Sequence, residues 1–166
     1  SKVWWSENAR AVRDERGTVL FYICTVEDIT ERKQAQDLLQ KSEALYRTLA
    51  EAAHDAVFIE NRDGYFEYMN SFAAEQLGKR PEEVIGKRRA DIFPPYVVDQ
   101  IDQQVADIWA TGKPMCIESM VVLKGQPAWA STWVVPIKNE FGEINAIMGV
   151  ARDITERKRM EETLKK

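Results

Sequence analysis

Six residues occur twice in this chain: Asp28-Ile29-Thr30-Glu31-Arg32-Lys33 and, 125 positions later, Asp153-Ile154-Thr155-Glu156-Arg157-Lys158. The same offset carries Gly17 onto Gly142, Val19 onto Ile144, Val12 onto Ile137 and Trp4 onto Trp129. Two apolar segments around a Gly turn therefore recur ahead of each copy. A fixed offset of this kind is a unit spacing and constrains the fold more than any local pattern. The chain is expected to hold one complete unit, the tail of a preceding one, and the first turns of whatever follows.

The hexapeptide reads as a strand-to-helix junction. Apolar residues from Ile144 to Ala151 lead into it, and charged helix formers lead away. Thr155 is expected to cap the new helix through its hydroxyl, with Glu156 favoured at the positive end of the helix dipole. Asp28, Thr30, Asp153 and Thr155 are read as the residues of a signalling junction, against the alternative of a capped helix and nothing more.

Composition excludes several classes. A chain of 166 residues can bury one real core. Hydrophobic content of 45% with 30% charged residues is that of a soluble globular chain. The net charge of −4 gives no general attraction to nucleic acid or anionic membrane. No apolar run is long enough to span a bilayer, so no direct membrane insertion is expected. Cys24 and Cys116 each lie inside an apolar segment and are expected to be buried free thiols.

Read in order, residues 1–27 form a hairpin: Trp4, Trp5 and Val12, a turn at Asp14-Glu15-Arg16-Gly17, then Val19 to Cys24. Residues 28–50 form a linker helix with Ala35, Leu38, Ser42, Leu45 and Leu49 stepping by threes and fours. This seam, about 30 Å long, predicts a parallel homodimer; an amphipathic helix lying on its own domain is the alternative.

Residues 51–154 form the complete unit, and residues 155–166 begin the next linker helix. Within the unit, strands are predicted at Ala56 to Ile59 and Tyr65 to Met69, around a turn at Arg62-Asp63-Gly64. Short helices follow at Ser71 to Leu77, capped by Ser71, and at Pro81 to Ile85. A longer helix runs from Pro95 to about Thr111 and ends at Gly112; strands at Met115 to Leu123, Ala128 to Ile137 and Ile144 to Ala151 close the unit. The expected fold class is α+β: a five-stranded antiparallel sheet with helices on one face, flanked by linker helices.

That element order, with Asp63-Gly64, Met69-Asn70, Pro81-Glu82-Glu83-Val84-Ile85-Gly86 and the closing hexapeptide, resembles the PAS sensory domain family. The resemblance implies a non-catalytic, cytoplasmic sensor module of a larger signalling protein, itself sometimes membrane-anchored, such as a histidine kinase or a diguanylate cyclase. It makes residues 1–27 the last two strands of an upstream PAS domain. It also implies a cavity between sheet and long helix where some members hold haem, flavin or a small metabolite.

The resemblance argues against haem and photoactive flavin. Flavin-binding light sensors carry a reactive Cys three residues after the Gly that matches Gly86, where this chain has Arg89. They place amide side chains on the last two strands, where this chain has Ala130 and Ala151; polar flavin edges left without partners cost about 1–3 kcal/mol each. Haem-binding members carry a His on the long helix. This one has none, and the only imidazole, His54, precedes the first strand.

The same comparison assigns faces. Ala130, Thr132, Val134, Ile147, Gly149 and Ala151 are expected to line a ligand pocket, with Phe58 and Trp109 as large neighbours. Trp129, Trp133, Val135, Met148 and Val150 then fall on the opposite face.

No catalytic triad, metal-spaced cluster or Gly-rich phosphate loop is present, so no catalytic or metal residue is assigned. Asp99, Asp102 and Asp107 read as a solvated helix face, and Lys79-Arg80 with Lys87-Arg88-Arg89 as solvated loops rather than a nucleic-acid contact. The expected function is sensing of a small ligand, or dimerisation, relayed through the flanking helices. The alternative is a structural dimerisation spacer in a tandem array with no ligand.

Overall fold

The computed structural model describes residues 2–164; Ser1, Lys165 and Lys166, at the ends of the expected hairpin and second linker helix, lie outside the described residues. The chain divides into two compact units, residues 1–48 and 49–166.

In the first unit, β1 (Trp5–Arg13) and β2 (Val19–Asp28) form an antiparallel hairpin, from Trp5 opposite Asp28 to Arg13 opposite Val19. The turn closes through Asp14, whose Oδ1 accepts from the backbone N–H groups of Arg16 and Thr18. Gly17 sits at φ +82° there, a left-handed conformation that only a residue without Cβ adopts freely. Helix α1 (Thr30–Ala52) follows and extends into the second unit. None of its side chains is buried, and Ala35, Leu38, Leu45 and Leu49 are exposed, with Ser42 partly so.

The second unit is a five-stranded antiparallel sheet in the order β4-β3-β7-β6-β5. Its strands are β3 (Ala56–Asn61), β4 (Phe66–Met69), β5 (Met115–Leu123), β6 (Gln126–Lys138) and β7 (Ile144–Asp153). Between β4 and β5 lie α2 (Ser71–Gln76), α3 (Pro81–Val84), α4 (Arg89–Ile92) and α5 (Pro95–Thr111). This is the expected α+β fold. Helix α4 was not anticipated, and its discovery moves Arg89 out of a loop.

Two apolar clusters join helices to sheet. Phe66, Met69, Ala73, Ala74 and Val84 form one, with Phe58 against it; Val105, Ile108, Ile117, Val134 and Ile147 form the other. Helix α5 ends at Gly112, φ +67°, whose N–H reaches Ile108 O at 2.8 Å. Among the described residues no helix is long and apolar enough to cross a membrane.

Two local expectations are corrected. The N-cap of α2 is Asn70, whose side chain accepts from Ala73 N at 3.0 Å; Ser71 instead donates its N–H to Glu51. Asn70 is wholly buried because its Oδ1 also accepts from Val57 N, while its Nδ2 donates to Ala50 O and Asp55 O. The two cysteines are exposed, not buried. Cys116 pairs with Trp133 on β6, which is itself half exposed, and Cys24 pairs with Ala9 on the hairpin.

Candidate functional site

Strand alternation places Ala56, Phe58 and Glu60 of β3 on the helix-covered face of the sheet. Register then sets Gly149 of β7 opposite Phe58 and Ile147 opposite Glu60, with Val134 of β6 beyond Gly149. Between this face and the helices lies a cavity of about 290 Å³.

Its lining includes Phe58, Ala130, Thr132, Val134, Ile147 and Ala151 from the sheet and Ile101, Gln104 and Val105 from α5. Two expected pocket residues stand elsewhere. A Cβ on Gly149 would lie 2.2 Å from the Phe58 ring, so Gly149 is covered by that ring instead of facing the cavity. Trp109, one position beyond Ile108 on α5, is turned toward Arg62, whose guanidinium lies 5.8 Å from its ring, in a shallow cleft outside the cavity.

The polar part of the wall was not anticipated. Arg89, expected in a solvated loop, has a side chain only 8% exposed. Its guanidinium donates to Glu60 of β3 and to Asp102 of α5. Asp102 is thus tied to Arg89 rather than simply solvated. Burial pushes the Glu60 carboxyl above its ordinary value, against the opposing pull of Arg89. Glu60 was legible in principle: it alternates inward with Phe58, and an inward acid calls for a cation. The position of that cation, 29 residues on, was not. Gln104 and Ser119 also face the cavity.

The flavin and haem donor sets can be tested on these residues. Position 89 holds a guanidinium clamped by two carboxylates, and positions 130 and 151 present methyl groups to the cavity. Helix α5 offers no imidazole, and His54 is exposed ahead of β3. The residues present do not fit a photoactive flavin, or a haem held by a histidine of α5.

The junction is built the same way in both copies, and not as expected. Asp153 Oδ1 accepts from Thr155 N at 2.8 Å, and Asp28 Oδ1 from Thr30 N at 2.9 Å. The aspartate, not the threonine, satisfies the amide at each helix start. Each threonine hydroxyl reaches back along the chain, to β6 in one copy and to the residue just ahead of β1 in the other: Thr155 Oγ1 accepts from Trp129 N at 2.9 Å, and Thr30 Oγ1 from Trp4 N at 2.9 Å. The same tryptophans accept from the isoleucines, Ile154 N to Trp129 O at 2.8 Å and Ile29 N to Trp4 O at 3.0 Å. Helix α6 (Thr155–Leu164) is held further by Arg157 and Lys158 on Glu118 of β5. Lys158 also lies 5.3 Å from the centre of the Trp129 ring.

A family profile described as the PAS fold matches residues 50–159. The chain belongs to the PAS family. A second PAS domain profile matches residues 1–31. The PAS domain of a Colwellia psychrerythraea protein has 22% identity and a TM-score of 0.60, covering 72% of this chain and 98% of that one. The Methyl sulfide methyltransferase-associated sensor of Methanosarcina acetivorans is 31% identical over 79% of this chain and 13% of its own length. The Aerobic respiration control sensor protein ArcB of Escherichia coli is 26% identical over 76% of this chain and 16% of its own. This PAS chain therefore spans under a fifth of those sensor proteins, and it is similar to portions of them.

Proposed function

We propose that residues 51–154 are a non-catalytic, cytoplasmic sensory module that holds a small molecule in its cavity and relays occupancy through α1 and α6 to an output domain. A histidine kinase is the output favoured by the sensor relatives; a diguanylate cyclase is the second. The observation that carries the reading is the cavity of about 290 Å³, mainly apolar but with a built polar wall, whose lining runs to the helix junction. Ala130 lines it, and the neighbouring Trp129 holds both Thr155 and Ile154 through its backbone. A shift of β6 by a bound molecule thus reaches α6 across one residue. The exposed seam of α1 supports a homodimer in which a change of helix register or rotation passes onward.

Native mass spectrometry after gentle purification tests this. A retained small molecule, released on denaturation, is the expected result. A bare chain whose α6 amides exchange at the same rate with and without added small apolar molecules would leave a packed spacer.

A further inference from the structure

The cavity wall has an unequal supply of hydrogen-bond donors and acceptors. Both arginines that line it are already held by carboxylates. Arg89 lies between Glu60 and Asp102, and Arg152, at the exposed rim, makes a bidentate pair with Asp55 at 2.9 and 2.7 Å. Around Arg89, two carboxylates face one guanidinium. Among the charged groups of the wall, what remains unused is acceptor capacity, while the Ser119 and Thr132 hydroxyls can donate or accept. Gln104 Oε1 is shut off from solvent without a hydrogen-bond partner. Glu60 is 2% exposed and gives one oxygen to Arg89, which leaves lone pairs of a buried carboxylate to be satisfied. Turning the Gln104 amide over would put its NH₂ in the same dry place. The amide needs a polar partner in either orientation, and the carboxylates decide the sign of that partner.

Size limits the ligand as well. A dry cavity of about 150 Å³ takes one benzene. A space of about 290 Å³ takes one ring with a short chain, or two fused rings.

We infer that the cavity is selective for a small, largely apolar molecule carrying N–H donors, neutral or cationic, and against carboxylates and phosphates, with Gln104 and Glu60 receiving the donors. This rests on the ligand-sensing reading and names the chemistry of its ligand. A site built to hydrogen-bond a polar group rejects an analogue without it, because its own buried groups are then left unpaired. An anion is rejected for a different reason: among the described residues both arginines of the wall are already paired with carboxylates, and the Ser119 and Thr132 hydroxyls offer a buried anion no compensating positive charge.

Four probes of nearly one shape separate these cases: phenethylamine, phenylacetamide, phenylacetate and ethylbenzene. Binding of each to the whole chain is measured by calorimetry and thermal shift. The two N–H probes are expected to bind at least about tenfold more tightly than the other two, one hydrogen bond's worth of discrimination. Gln104→Leu, which keeps the volume and removes the amide, is expected to erase the preference for phenylacetamide over ethylbenzene. The inference is overturned if phenylacetate or ethylbenzene binds as tightly as the better N–H probe, or if Gln104→Leu keeps the preference; ligand sensing itself then still stands. If none of the four binds and the purified chain carries no small molecule, the sensing reading falls and the inference with it.

Discussion

At the scale of single residues, Glu60 is a carboxylate buried in the wall of a mainly apolar cavity. Burial raises its folded-state carboxyl above the ordinary glutamate value, so the native state binds its proton more tightly than the unfolded chain does. By linkage, its contribution to stability falls as pH rises from the unfolded value to the raised folded one, and is flat above. Asp55 has the opposite sign. Its hydrogen bonds to Arg152 hold it low, so its contribution is present above the ordinary aspartate value and is lost as pH falls. Because Asp55 is the same in wild type and in Glu60→Gln, the difference between their pH profiles isolates Glu60. Urea melts over about pH 4 to 8 should show wild type losing stability relative to Glu60→Gln as pH rises. Parallel profiles would show that Glu60 titrates as an ordinary surface carboxylate does. At this scale the sequence was partly legible. The family resemblance placed Ala130, Thr132, Val134, Ile147 and Ala151 on the cavity side, and alternation put their neighbours on the other, because a strand has only two faces. Trp109 was misplaced because adjacent positions on a helix differ by about 100°, so Ile108 and Trp109 point apart. Gly149 was read as a pocket-lining residue when it is the place where the Phe58 ring lies.

The elements were easier to read, since each carried its own punctuation. Pro95 and Gly112 bounded α5, and the Gly turns bounded the hairpins. Helix α4 escaped because four residues show no period. Its start is marked only by Asp91 accepting from Arg88 N at 2.9 Å, inside a run of basic residues that reads as loop. The junction was read as a unit boundary, and its hydrogen bonds were assigned to the wrong partners. A threonine before a helix usually caps it. Here the aspartate two residues earlier takes the helix amide, and the threonine is free to clip the helix start to a neighbouring strand. The two roles make different predictions. Thr155→Val keeps the shape but leaves the part-buried Trp129 N–H without an acceptor, a loss of about 1–2 kcal/mol. Hydrogen exchange should rise at Trp129 and through the first turn of α6, whereas Thr155→Ser should preserve protection at both. Loosening confined to the helix, with Trp129 unchanged, would mean that the hydroxyl caps the helix after all.

The scale of the whole molecule raises the question of what covers residues 1–48. The strand β2 is rich in apolar residues, and the resemblance makes it one of the last two strands of an upstream domain, yet Leu20, Phe21, Tyr22, Ile23 and Val26 are all more than half exposed. Trp5 on β1 is 60% exposed as well. Full burial of a large apolar side chain stabilises by about 1.5–3 kcal/mol, so six such groups drive association strongly. A lone two-stranded hairpin is marginal in water, and its open edges pair readily with another copy. Helix α1 adds a second surface: Leu38 is 72% exposed, Leu45 58% and Leu49 60%. The two surfaces predict different behaviour when each is removed. If the seam forms a parallel pair, Leu38→Glu with Leu45→Glu places like charges along it. Sedimentation velocity should then show the dimer weakened by at least about tenfold, the hairpin still being present. If the hairpin instead recruits its cover from a second copy, deleting residues 1–27 should abolish association. In the intact chain, hairpin amides should then lose protection on dilution to monomer. A double mutant that sediments as wild type does, alongside a deletion that yields monomer, would assign the contact to the hairpin and reduce the α1 seam to a solvated face. Loss of the dimer in the double mutant with hairpin protection unchanged on dilution would assign it to the seam, the surface through which a change of register can pass along α1.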